Sequence, residues 1–227
     1  MAAEPAPATR IALIHAVYVA MPPIERAFSN RWPDAERFNL VDDALPADLE
    51  RAGSLTPELF ARIRRLAEHA VAARADAVLF TCSAFGEAIE AAAGTLPVPV
   101  LEPNEAMFEA ALTRGKRIGM LATFAPAVAS MEQEFRELAA RRGIDARLET
   151  VCVSNAIAAA RSGDVATHDR LVAEAAPQLA HCDAVMLAQF STSTALEAVQ
   201  AALPCPAFSA PEAAVDALRR ACAPRAH

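Results

Sequence analysis

The feature that most constrains this chain is that it repeats itself. Asp76-Ala77-Val78-Leu79 returns 107 positions later as Asp183-Ala184-Val185-Met186. The same shift carries Arg10-Ile11-Ala12-Leu13-Ile14 onto Arg117-Ile118-Gly119-Met120-Leu121 and Leu96-Pro97-Val98-Pro99 onto Leu203-Pro204-Cys205-Pro206. It also carries Glu25 and Phe28 onto Glu132 and Phe135, and Glu105-Ala106 onto Glu212-Ala213. An alanine-rich chain gives chance alanine matches, but not a shared Leu-Pro-x-Pro. The reading is an internal duplication, in which both halves adopt one fold.

Each half alternates short apolar runs with amphipathic stretches. Strands are predicted at Ile11–Ala16, Arg37–Val41, Val78–Thr81 and Val98–Leu101, then at Ile118–Ala122, Arg147–Val153, Val185–Ala188 and Ala207–Phe208. Helices are predicted at Pro22–Arg31, from Thr56-Pro57-Glu58 to about Arg74, and at Phe85–Ala93; the second half has them near Ala127–Arg142, Ala166–Leu179, Thr194–Ala202 and Pro211–Ala221. Strands joined by crossover helices imply parallel sheets covered on both faces. The expected fold is α/β: two pseudo-symmetric parallel-sheet halves with a cleft between them. Residues 10–102 plus 211–227 form the first half and 103–210 the second, after a flexible tail at 1–9.

Composition narrows the function. With 54% hydrophobic and 22% charged residues the chain can bury a core. A net charge of −7 argues against a nucleic-acid partner, whose phosphates need a basic face. No apolar run reaches the roughly 20 residues that span a bilayer, and Met1–Thr9 lacks the apolar centre of a secretory signal. Five scattered cysteines then read as reduced thiols in a cytoplasmic protein. No glycine-rich phosphate loop calls for a nucleotide, so no cofactor is expected. No metal is expected either, because His181-Cys182-Asp183 is too compact to converge on one ion. His69 and His168 read as surface residues of helices, and Arg62, Arg64, Arg65, Arg141 and Arg142 as solvated helix faces.

In parallel α/β sheets the carboxyl ends of the strands hold the ligand. Two such tips correspond under the repeat: Thr81-Cys82-Ser83-Ala84-Phe85, and Ala188-Gln189-Phe190-Ser191-Thr192-Ser193-Thr194. Cys82 corresponds to Gln189 and is placed at a helix N-terminus, which stabilises a thiolate or a bound carboxylate. An isolated Thr-Cys-Ser is more simply a small buried cysteine among capping hydroxyls; the strand-tip position and the matched tip shift the balance toward a site. His15 ends the first strand and is either a carboxylate-orienting or acid/base group, or a satisfied strand-end histidine. Tyr18 follows in the same loop and either lines the pocket or packs within the loop. Glu102 and Asn104 close the fourth strand, where Asn104 is expected to cap the next helix. Phe85, Phe124 and Phe190 near the tips suggest an apolar pocket wall, with core packing the simpler use of each.

With these residues in view the chain resembles the aspartate/glutamate/hydantoin racemase superfamily, which includes maleate isomerase and arylmalonate decarboxylase. The likeness rests on the duplicated α/β layout, Thr81-Cys82-Ser83, the second tip and Leu101-Glu102-Pro103, and it covers nearly the whole chain beyond the tail. In the racemases it implies two cysteines, one at each tip, that remove and return a proton on opposite faces of the substrate. Cys82 matches the first, but Gln189 stands in place of the second, and glutamine has no proton to exchange near neutral pH. Cys182 lies before its strand, away from the tip. The decarboxylase works with one cysteine, at the second tip, so a decarboxylase built on Cys82 would protonate the opposite face. The resemblance also implies that Thr123 binds a substrate carboxylate.

The expected function is a cofactor-independent, racemase- or isomerase-like enzyme acting at carbon beside a carboxylate in a small molecule. Cys82 is the acid/base. Thr81, Ser83, Thr123, Gln189, Phe190, Ser191 and His15 bind substrate. The competing readings are a decarboxylase of a malonate-type acid, an enzyme using Cys82 as a nucleophile, and a binding protein without catalysis. The superfamily often dimerises, which makes a homo-oligomer an open expectation.

Overall fold

The computed structural model describes residues 8–223. Most of the expected N-terminal tail therefore lies outside the described residues. Two compact units emerge, one of the described residues up to 103 and from 214 on, the other of residues 104–213.

The first unit runs β1 (Arg10–His15), α1 (Met21–Arg31), β2 (Glu36–Val41), α2 (Leu45–Ala52), α3 (Pro57–Ala72), β3 (Ala77–Phe80), α4 (Gly86–Ala93) and β4 (Val100–Leu101). The second runs α5 (Glu105–Leu112), β5 (Arg117–Ala122), α6 (Val128–Arg141), β6 (Arg147–Cys152), α7 (Ala156–Arg161), α8 (Val165–Ala175), β7 (Ala184–Leu187), α9 (Leu196–Ala202) and β8 (Ala207–Ser209). Helix α10 (Ala210–Cys222) follows. Each unit holds a four-stranded parallel sheet, ordered β2-β1-β3-β4 and β6-β5-β7-β8. The α/β architecture is thus the one the periodicities predict. Sequence reading passed over α2 and α7, which are short. It also ran α8 through Pro177, where the chain tightens into a 3-10 turn at Ala176–Leu179 because proline cannot continue the α-helical hydrogen bonding.

The recurring motifs turn out to be joinery. Asp76 accepts the Arg10 backbone N–H at 2.7 Å, and Asp183 accepts those of Lys116 and Arg117 at 3.0 and 2.9 Å. Each aspartate thereby clips the start of the first strand of its unit to the chain entering the third. In the Leu-Pro-x-Pro motifs, the carbonyls of Pro99 and Pro206 accept from Val78 and Val185 at 2.8 and 2.9 Å. A proline, lacking an N–H, suits that place at the start of an edge strand. The shift of 107 holds for β1/β5 and β3/β7, but not for the other edge. Glu36 pairs with Arg10 and Arg147 with Arg117, so β2 and β6 correspond at 111.

Strands β1 and β5 are buried on both faces, as parallel strands between helices must be. In the first unit Ala12, Ile14, Val78 and Phe80 pack with Ile63 and Ala67 of α3 and Ile89 of α4. In the second, Leu121, Val185 and Leu187 pack with Val172 of α8 and Val199 of α9. Phe108 of α5 meets Phe135 of α6 edge-on, centroids 5.7 Å apart. Among the described residues no helix is long and apolar enough to cross a membrane.

Candidate functional site

Beyond β3 the buried strand Ala77–Phe80 leads through Thr81 to Cys82. Cys82 has extended backbone and stands at the N-cap of a 3-10 turn, Ser83–Phe85, that runs directly into α4. The leading N–H groups of such a turn lack intrahelical acceptors and carry partial positive charge. Cys82 and Ser83 are half-buried, whereas Thr81 and Phe85 are buried. None of the five cysteines is in a disulfide.

His15 is not available as a loose base here. It is fully buried at the end of β1, and both ring nitrogens are engaged: Nδ1 with Thr81 Oγ1 at 2.8 Å and Nε2 with Asn39 Oδ1 at 2.8 Å. The Asn39 amide nitrogen donates to Glu25 at 3.2 Å, so Asn39 presents its oxygen to His15. That fixes an Nε2–H tautomer and leaves Nδ1 to accept the Thr81 hydroxyl proton. Burial lowers the His15 pKa below its ordinary value, against the opposing pull of Asn39 and Glu25. The result is a relay of fixed groups, Glu25–Asn39–His15–Thr81, ending one residue before Cys82.

The tip of the second unit is built differently. Gln189 has φ +64° and ψ 147°, a conformation that glycine adopts easily and other residues adopt under strain. Its Oε1 accepts the Thr123 backbone N–H at 3.4 Å. Among the described residues its Nε2 has no hydrogen-bond partner, nor has the Thr123 hydroxyl, and both atoms are buried. The Ser209 hydroxyl, at the end of the neighbouring β8, is in the same position. An unsatisfied buried polar group costs about 1–3 kcal/mol, and three of them lie at the carboxyl end of one sheet, where a polar ligand could pair with them. Sequence reading missed Ser209; its correspondence to Glu102 under the shift of 107 was the available signal.

The 3-10 turn Phe190–Ala195 follows Gln189. Thr192 is spent on the backbone, donating to the Gln189 carbonyl at 2.8 Å and also to the Ala188 carbonyl. Ser193 donates to the Phe190 carbonyl at 2.7 Å. Ser191 is exposed and Phe190 buried. Thr194 donates to Asp169 at 2.5 Å, and Asp169 also holds His168 at 2.7 Å. His168 is 1% exposed, which corrects its reading as a surface residue: it belongs to the packed face of α8 that anchors this turn. His69 is exposed, as expected.

Three further expectations change. Asn104 gives its helix no side-chain cap; it is buried and donates to Glu134 at 2.9 Å, while burial raises the Glu134 pKa. Phe124 is 39% exposed in the loop after β5, not a core residue, and Tyr18, in the loop after β1, is 61% exposed. His181 and Cys182 do converge, with Glu149, which sits 32 residues from His181 in the chain and was invisible to local spacing. Cavities open at the strand amino ends: about 640 Å³ beside Arg10, Glu36 and Asp76, and about 390 Å³ beside Arg117, Glu149 and Cys182.

A parallel α/β unit with polar groups gathered at its strand carboxyl ends defines a class of small-molecule site. The family follows from comparison: the Asp/Glu/hydantoin racemase family model matches residues 23–179, and the chain belongs to that family. Solved structures share the fold. An aspartate racemase homologue from Pyrococcus horikoshii aligns with TM-score 0.71 and 12% identity over 94% of this chain and 99% of its own. Allantoin racemase from Klebsiella pneumoniae gives 0.67 and 17% over 94% and 87%, and unliganded arylmalonate decarboxylase 0.62 and 18% over 96% and 94%. No curated protein matches the chain.

Proposed function

We propose that this protein is a cofactor-independent enzyme that transfers a proton at carbon beside a carboxylate, with Cys82 as its acid/base. The observation that carries the reading is the pair of orphaned donors, Thr123 Oγ1–H and Gln189 Nε2–H₂, buried at the carboxyl ends of β5 and β7. A carboxylate accepts but does not donate, and is the acceptor such a pair suits. As negative charge grows on the carboxylate oxygens toward an enediolate, these donors bind it more strongly, which is how they would lower the barrier.

Within this reading the chemistry is one-sided. Gln189 carries no exchangeable acid/base proton, and His15 has both nitrogens committed. A malonate-type diacid fits one acid best. One carboxylate leaves as CO₂, and its C–C electron pair becomes the enediolate. The Cys82 S–H supplies the proton to carbon, and the thiolate takes a proton back from water. Proton exchange with retention at a carbon acid is the same half-reaction run both ways.

The test is solvent deuterium incorporation and chiral product analysis over arylmalonates, maleate, amino acids and hydantoins. Turnover or exchange on one face, falling roughly 10²–10⁴-fold in Cys82→Ala, is expected. Racemising exchange that survives Cys82→Ala would refute the assignment. A substrate-dependent mass increase on Cys82 would move the reading to nucleophilic catalysis.

A further inference from the structure

At the amino end of the second sheet, far along the strands from Thr123 and Gln189, three unlike donors meet. Glu149 comes from β6, and His181 and Cys182 from the turn entering β7. One ligand atom from each lies within 4.8 Å of the other two, and His181 Nε2 is 3.0 Å from Glu149 Oε2. All three line the cavity of about 390 Å³, which gives Cys182, itself buried, a route to solvent.

The sheet does not require this set. In the first unit the corresponding places hold Arg74, Ala75 and Phe38, and the strands pair in the same register. Asp183, the adjacent carboxylate, is committed to clipping β5 and to Arg117 at 2.8 Å, so it does not compete for the role. Of the two arginines that line the cavity, Arg117 and Arg147, the first is paired by the same contact.

We propose that Glu149, His181 and Cys182 form a binding site for a thiophilic divalent cation of the zinc class. Imidazole nitrogen, thiolate sulfur and carboxylate oxygen together are the donors zinc takes, and three of them leave a fourth position for water. Binding releases the thiol proton of Cys182 to solvent, and the cation's two charges are balanced by one thiolate and one carboxylate. Because that proton must leave, binding tightens as pH rises. Once bound, the ion ties β6 to the turn before β7 and stabilises the second unit.

Cobalt(II) is the probe, added anaerobically to chelator-treated protein. A sulfur-to-cobalt charge-transfer band saturating at one equivalent, displaced by Zn²⁺, retained in Cys82→Ser and lost in Cys182→Ser is expected. His181→Ala and Glu149→Gln should weaken binding by about tenfold or more, at least what loss of an outer-shell partner costs. His181 is on the surface, so its variant decides the matter if Cys182→Ser does not fold. No thiolate band at stoichiometric metal, or a band unchanged in His181→Ala, would overturn the site.

Discussion

Gln189 shows what one residue contributes when its backbone and side chain are set against each other. Its positive φ costs of order 1–3 kcal/mol, a strain glycine would not carry. Gln189→Gly should therefore keep or raise the melting temperature while weakening carboxylate binding, a split that thermal melts and inhibitor titration would read together. His15 makes the complementary point. Its folded pKa lies below its ordinary 6.5, so its neutral form is the native one. The stability this allows is fully present above 6.5 and is lost as pH falls toward the folded value. Denaturant midpoints at about pH 7 and about pH 5 should differ less in His15→Gln than in the parent.

At the scale of elements, the strand amino ends carry joinery, and in the second unit the carboxyl ends carry unsatisfied polar groups. Asp183 joins β5 to the entry of β7, and the adjoining Gly115 leaves room for it. A β-carbon at Gly115 would stand 2.5 Å from Asp183 Cβ and Cγ. Gly115→Ala should cost about 1–3 kcal/mol in chemical denaturation, as forced overpacking does. The Arg117 guanidinium lowers the Asp183 pKa. The contribution of that pair holds above the ordinary carboxylate range and disappears as acid protonates Asp183. Asp183→Asn should thus narrow its stability deficit on acidification, visible in a pH series of melts.

For the whole molecule, the two units share strand order and register but not tip chemistry. Position 82 carries a thiol and position 189 an amide. The sequence expectation that both tips serve one substrate has a direct test in Gln189→Cys, which supplies a second thiol. Loss of stereochemical purity relative to the parent, with racemising deuterium exchange, is the expected outcome by chiral chromatography. An unchanged enantiomeric ratio in a folded variant would separate the two tips functionally.

The alternation of strands and helices, the repeat and the position of Cys82 at a strand tip were all legible in the sequence. Periodicity, proline placement and recurring motifs are local signals, and backbone geometry makes them nearly sufficient for parallel α/β units. Short helices such as α2 and α7 carry too few turns for a period to show. What only the tertiary structure decided is which side chains have spent their hydrogen bonds. His15 is bound on both sides by residues from β2 and the β3 tip, and Asn104 answers Glu134 instead of its own helix. Thr123, Gln189 and Ser209, by contrast, keep buried polar atoms without partners. Whether a polar group is satisfied depends on neighbours tens of residues away, and no spacing within the chain reports it.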